Sequence, residues 1–384
     1  MRRSPLAIIF LTVFIDLVGF GIVLPLLPYY AETYGASSFA VGLLQTSYSV
    51  MQFLFTPVWG RLSDRYGRRP MILMSLAGSC IGFLVFGLAG NLYVLFAARM
   101  VAGVAGAIIP TANAYIADVT TAENRAKGMG LVGAAFGLGF ILGPAVGGVL
   151  APYGYDKPAL VASALAGLNF VFAWFRLPES LTPEIRGRAR SGRFNLQSFR
   201  RALADRRIAL LLALFFVATF AFSNMEATFG LLNEHRYGFG ARETGYLFTY
   251  LGAVMSFVQG VLVGRAARRF GEKLCISMGT FLMVFGLALM PSAPNLPVYC
   301  TILALLVLGL GINTPSINAL LSRYSPVEEQ GGILGVAQSA AAMGRILGPM
   351  WGGFTFGLDI HWPFLTGSLF MALAFALSLK NLKS

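Results

Sequence analysis

Apolar blocks separated by short polar breaks recur along the whole chain. A helix that crosses a bilayer needs about 20 mostly apolar residues. The pattern predicts twelve such spans, at residues 6–30, 40–60, 71–90, 93–117, 127–150, 158–177, 208–232, 243–263, 273–291, 296–321, 332–356 and 361–379. The breaks are short except for one, between spans 6 and 7. The opening run, "MRRSPLAIIFLTVFIDLVGFGIVLPLLPYY", begins like a signal peptide. Its apolar run is too long for that and lacks a small-residue cleavage site, so it is expected to be a retained first span.

Composition fits a chain whose main solvent is lipid. The 384 residues are 57% hydrophobic and 12% charged, against roughly 25% charged in a soluble domain. Cys80, Cys275 and Cys300 lie in apolar stretches without paired spacing. They form neither a disulfide framework nor a zinc site. Of the 29 lysines and arginines, Lys157, Arg236 and Arg242 are expected on one side, and Arg99 and Arg345 lie inside spans. All the others fall at the termini and in loops after even-numbered spans. The positive-inside rule then places both termini in the cytoplasm. The net charge of +13 is read as basic loops facing anionic lipid, not as a nucleic-acid surface.

The chain repeats itself. At a shift of 205, Asn113 meets Asn318, Glu123 meets Glu328, and the octet "ILGPAVGG" (141–148) meets "ILGPMWGG" (346–353). At a shift of 204, "GRLSDRYGRR" (60–69) meets "GRAARRFGEK" (264–273). Six spans return the chain to the same side, so the halves share an orientation and an axis along the membrane normal. The expected organisation is all-α: an N-terminal six-helix bundle at 1–177, a cytoplasmic linker at 178–207 and a C-terminal bundle at 208–384. The linker carries Arg186, Arg188, Arg190, Arg193, Arg200, Arg201, Arg206 and Arg207.

These stretches carry a family resemblance. "GRLSDRYGRRP" (60–70) resembles the signature loop between helices 2 and 3 of the major facilitator superfamily. "ARMVAGVAGA" (98–107) is similar to its helix 4 motif, with Arg99 as the embedded basic residue. "GLGFILGPAVGG" (137–148) is similar to the helix 5 motif of its drug–proton antiporter branch. "FIDLVGFGIVLPLLP" (14–28) resembles helix 1 of the tetracycline-efflux group, with Asp16 at its acidic position. The resemblance spans the chain. It implies the major facilitator fold, two bundles related by a pseudo-two-fold axis.

Charged groups inside spans are functional hypotheses by default, because each is costly unless paired. Asp16, the eleventh residue of span 1, lies about 16 Å deep at 1.5 Å per residue. Asp16 and Glu226 are the candidate protonation sites. Arg99 is a third coupling candidate, either holding Asp16 or a proton relay, or bracing span 1. Arg345, whose counterpart in the first half is Phe140, could attract an anionic substrate or pair with Glu226.

The octets read as packing seams. Gly139, Gly143 and Gly147 recur every four residues, on one helix face. Gly148 follows, and Gly348, Gly352 and Gly353 repeat the arrangement. Gly133 and Gly137 extend the same spacing upstream. Small residues let helices approach closely. Pro144 and Pro349 each remove a backbone hydrogen bond and bend their spans. In the loop at 60–69, Gly60, Asp64, Arg65, Gly67, Arg68 and Arg69 form a latch with Asp118, which is expected to pair with Arg65 or Arg68. The resemblance further implies that Asp64 caps helix 11, near Gly331 and Gly332. Arg268 stands where the second copy would place its aspartate, so only one strong latch is expected.

Spans 3, 6, 9 and 12 carry almost no strong polar group beyond Asn169 and are expected to face lipid. Gln45, Tyr48, Gln52, Asn113, Asn224, Tyr246, Tyr250, Asn313, Asn318 and Gln338 are expected to line a substrate cavity. With Phe20, Phe222 and Met255 they make a mixed apolar and hydrogen-bonding pocket, suited to an amphipathic small molecule. Interhelical bonding is the plain alternative for each.

The chain departs from the tetracycline pumps. Residues 273–291 contain no acid, and its histidines, His235 and His361, lie at span edges. The function expected is a proton-coupled exporter of amphipathic drug-like small molecules. The alternative is a facilitator or proton-coupled transporter of an anionic metabolite, sugar or lipid. No metal-ligand spacing, nucleophile–histidine pair or nucleotide loop points to an enzyme. The chain is expected to act as a monomer in a bacterial inner membrane. It would need no cofactor or metal, only a proton gradient, a small-molecule substrate, protons and surrounding lipid.

Overall fold

The computed structural model describes residues 5–106, 108–181, 202–326 and 329–381, excepting the side chains at 122, 123 and 125–127. Linker arginines 186 to 201, Glu328 and the Glu123 side chain lie outside these. The described chain is helical. Helices α1 (Pro5–Val23) and α2 (Leu27–Glu32) are joined by a 3-10 turn, and α3 is Ser38–Tyr66. Then come α4 (Arg68–Gly87), α5 (Leu92–Ala105), α6 (Ile108–Val119), α7 (Ala122–Leu150) and α8 (Asp156–Arg176). After the linker follow α9 (Arg206–Tyr237), α10 (Ala241–Phe257), a π-helical turn (Val258–Leu262) and α11 (Val263–Leu289). Helices α12 (Leu296–Tyr324), α13 (Gln330–Phe356) and α14 (Trp362–Asn381) complete the chain.

Local sequence sets several boundaries twice. Gly67 ends α3 with φ 114°, and Gly271 breaks α11 with φ 74°. Both occupy the left-handed region that glycine tolerates without cost. They are repeat-related at a shift of 204. Asn91 caps α5 by accepting from Val94 N, and Asn295 caps α12 by accepting from Val298 N, again 204 apart. Each side chain satisfies one of the four backbone donors a helix start leaves open.

Among the described residues, nine helical runs are long and apolar enough to cross a membrane. Helices α3 and α13 are not in that set. The first is diluted by Gln45, Thr46, Ser47, Ser49 and Gln52, and the second by glycine, alanine, Gln338 and Ser339. The run Ala241–Ser292, 52 residues long, counts as one although Gly271 breaks it. Exposed apolar stripes run along four of these helices. On α11 the stripe is Leu274, Met278, Phe281, Phe285 and Leu289; on α14 it is Leu365, Leu369, Leu373 and Leu377. Helices α4 and α8 expose Met74, Ile81 and Leu84, and Leu168, Val171 and Phe175. The three- and four-residue spacing puts each set on one face.

Two compact units form. The first takes the described residues of Met1–Ala36, Ser47–Ser191 and Phe239–Ala253. The second takes those of Ser37–Thr46, Gly192–Gly238 and Val254–Ser384. Their bounds differ from the sequence halves, because the start of α3 joins the second unit and most of α10 joins the first. Each unit has its own apolar core. Ile72, Leu76 and Tyr115 pack with Ile9, Val13 and Leu17 in one. Ile276, repeat-related to Ile72, packs with Leu211, Phe215 and Ile317 in the other.

Candidate functional site

The octets are seams with two faces. In the first unit, a methyl group added at Gly143 would lie 2.7 Å from Gly21 Cα and from Val18 O on α1. Gly139 and Gly147 rest on α1 in the same way, against Leu17 and Ile22. Gly148 turns to α10, meeting Arg242 O at 2.8 Å. In the second unit, Gly348 and Gly352 rest on Phe220 and Asn224 of α9, while Gly353 turns to Ser38 and Gly42 of α3. Backbone contact this close accepts no side chain larger than hydrogen. Prolines 144 and 349 belong to the same contacts. Gly245 packs on Pro144 O and Gly42 on Pro349 O. Gly133 faces open space, so the contact face begins at Gly139.

Arg68 is the centre of the latch region. Its Nη1 lies 2.5 Å from Asp64 Oδ1, its Nε lies 3.1 Å from Asp118 Oδ2, and Nη1 also donates to Ser63 Oγ. Of the two partners expected for Asp118, Arg68 is the one found. Asp64 pairs with Arg68 here. Arg65 is exposed and lies over Tyr66, and a methyl added at Gly60 would meet open space. Arg69 Nη2 donates to Trp174 O.

A residue outside the expected set holds this region together. Glu179 accepts from the backbone N–H groups of Arg68, Arg69, Ser180 and Leu181. It caps the start of α4, where the positive helix end favours a carboxylate. It also fills the space over Gly67, where an added methyl would overlap its carboxylate. Ser180 Oγ completes the cluster by donating to Asp118 Oδ2.

The second unit carries a counterpart with its charges exchanged. Arg323 Nη1 lies 3.0 Å from Glu272 Oε2. Glu272 is repeat-related to Arg68, and Arg323 to Asp118. The Arg323 side chain is 66% exposed, against 8% for Arg68. A second ion pair therefore exists, but it is exposed where the Arg68 pair is buried.

Inside the spans, Asp16 Oδ1 is shielded from solvent and accepts no hydrogen bond, while the carboxylate bonds to the Ser79 hydroxyl of α4. Ser79 is thus the polar neighbour of Asp16. The Arg99 residue is 3% exposed, and its guanidinium lies 4.5 Å from the centroid of the Tyr48 ring. A cation over an aromatic face is stabilised electrostatically, more so when desolvated. Glu226 Oε2 accepts from Gln45 Nε2 at 3.2 Å. Arg345 is half-buried on α13, immediately before the second octet.

The other polar candidates separate by environment. Asn224 is fully buried and donates to Pro363 O. Asn313, also buried, donates to Thr280 Oγ1 and Ile276 O. Both bond between helices, the plain alternative. Gln338 is exposed, Asn113 is half-buried, and Tyr246 accepts from Arg242 Nε. Asn318 Oδ1 is buried without a partner. Tyr250 is half-buried on α10. Tyr48 stacks obliquely on Phe20, whose ring also meets Phe140.

Glu179 and Ser79 are the site residues that sequence reasoning missed. Ser79 is one of two serines, with Ser75, in an apolar span. Glu179 follows Pro178 just past the end of α8, among linker charges; a carboxylate three residues beyond a helix was the available signal.

Long apolar helices, a duplicated scaffold and buried intramembrane charges define a multi-span membrane protein of the transporter kind. The Major Facilitator Superfamily model matches residues 9–267 and 235–383. The chain belongs to this superfamily and to its tetracycline-efflux-like group. It is 35% identical over 351 residues to the class C tetracycline resistance protein of Escherichia coli, covering 91% of this chain and 88% of that one. It is 30% identical to multidrug resistance protein 2 of Bacillus subtilis, covering 98% and 95%. Among solved structures it is similar to the human organic anion transporter MFSD10 (TETRAN), with TM-score 0.74, 26% identity and coverage of 98% and 99%. A bacterial homolog of the human lysosomal transporter Spinster shares the fold, with TM-score 0.80, 14% identity and coverage of 99% and 98%. The protein is a transporter, not an enzyme, and a multi-pass protein of the bacterial inner membrane.

Proposed function

We propose that the chain is a proton-coupled exporter of amphipathic drug-like small molecules, working by alternating access. Asp16 carries this reading. Its shielded Oδ1 has no hydrogen-bond partner, a costly arrangement for a carboxylate. Such a group is suited to gaining and losing a proton as its surroundings change. Glu226, held by Gln45, is the second protonation site. Twelve spans follow if α1–α2 and α5–α6 are each taken as one broken span. The distribution of arginine and lysine supports cytoplasmic termini. The resistance proteins among the relatives support export. The absence of an acid in residues 273–291 favours a broad amphipathic class over tetracycline itself.

A second reading, transport of organic anions, is favoured by Arg345 inside α13 and by the likeness to MFSD10. Everted membrane vesicles distinguish the two. Exporter function predicts ethidium uptake that stops when the imposed pH gradient is collapsed. Uptake of an aromatic carboxylate, abolished by Arg345→Met and indifferent to the gradient, would establish the second reading instead.

A further inference from the structure

The fourth span is in two pieces, and the break is built from side chains found in one half only. Helix α5 ends at Ala105, and Gly106 has left helical geometry with φ −69° and ψ 32°. Pro110 explains why the break falls here, since it cannot donate to the carbonyl four residues back. A helix end leaves four carbonyls without helical partners. All four are satisfied. Gly103 O accepts from Gly106 N. Val104 O accepts from Trp59 Nε1, Ala105 O from Ser75 Oγ, and Gly106 O from Gln52 Nε2 at 2.9 Å.

The repeat-related helix has the same proline and no break. Pro315 lies inside α12, which is continuous from Leu296 to Tyr324. The second half also lacks these donors. Gly279 stands where Ser75 does, Val263 where Trp59 does, and Ser256 or Met255, at shifts of 204 or 203, where Gln52 does. At the first of these sites Gly279 rests its backbone directly on Gly309 O, the counterpart of Ala105 O.

One of the three donors reaches further. Gln52 Nε2 also lies 3.4 Å from the Tyr48 hydroxyl, and the Tyr48 ring is the seat of Arg99. Arg99 itself is in α5, between the break and the Asn91 cap. Gly106 is small where these groups meet, because a methyl there would lie 2.9 Å from the Tyr48 hydroxyl and 3.0 Å from Gln52 Nε2. We propose that Gln52 is a positioning residue that couples a hinge in the fourth span to the aromatic seat of Arg99, so that bending the span and shifting the buried cation are one event.

Hydrogen exchange of the full chain in lipid nanodiscs tests this without any substrate, so its outcome is independent of the exporter reading. In the wild type, amides of 103–109 should exchange about tenfold faster than those of 307–313, the pattern of a local opening. Gln52→Leu should raise exchange about tenfold at 103–109 and also at 95–102, around Arg99. Ser75→Gly, which installs the second-half residue, should raise it at 103–109 alone. If Gln52→Leu does not fold, Gly106→Ala serves in its place, with both segments expected to loosen. Two results overturn the proposal: equal protection of 103–109 and 307–313 in the wild type, or an effect of Gln52→Leu or Gly106→Ala confined to 103–109.

Discussion

At Gly67 and Gly271 the two halves make the same backbone turn and surround it with opposite chemistry. After Gly67 the cation is Arg68, sunk among Asp64, Asp118 and Ser63. After Gly271 the matching residue is the anion Glu272, which meets an exposed Arg323 and, among the described ion pairs, no other partner. The scaffold was copied and the charges were not. Position in the fold fixes where a charged pair can form, while burial and the number of hydrogen bonds fix how much it matters.

The comparison breaks most sharply at Arg68. Arg68→Ala leaves the Asp118 carboxylate, 10% exposed, facing no cation, and should cost about 3–5 kcal/mol. Arg323→Ala should cost less than about 1 kcal/mol, because an exposed pair is screened by solvent. Thermal unfolding of the two purified variants, side by side, measures the difference. A smaller loss follows from exchanging the charges. Arg68→Glu with Asp118→Arg should recover less than half of the Arg68→Ala loss, since Asp64, Ser63 and Ser180 stay arranged for the native polarity. Glu272→Arg with Arg323→Glu should unfold within about 0.5 kcal/mol of wild type. Equal recovery in both halves would show that burial does not distinguish them. The smallest effect expected is at the cap. Glu179→Gln keeps an acceptor at the start of α4 but removes its charge, for about 1 kcal/mol read on the same melting curves.

Much of the scaffold is written in the sequence. Apolar block length placed the helices to within a few residues, and the repeat related Gly67 to Gly271 through a plain alignment. The octets were readable as seams, because glycine at four-residue spacing permits close approach whatever the partner. Which helix each glycine meets was not readable. Gly147 and Gly148 are adjacent yet rest on α1 and α10, a matter of helix face and neighbour. The break before Pro110 was equally hidden. Pro110 and Pro315 read alike, and their difference lies in Trp59, Ser75 and Gln52, far away along the chain. Asn224 and Asn313 left two readings open for a related reason, since composition does not tell an interhelical brace from a cavity wall. Asp16 was legible because a carboxylate in an apolar span has few explanations; its Ser79 partner was not.

The central claim is that Asp16 and Glu226 couple substrate export to proton movement. It is tested most directly by ethidium-driven proton flux in proteoliposomes carrying wild type, Asp16→Asn or Glu226→Gln. The account predicts that Asp16→Asn lowers the flux at least about tenfold while ethidium binding persists, with a loss of the same direction in Glu226→Gln. Wild-type proton flux in both variants would contradict it.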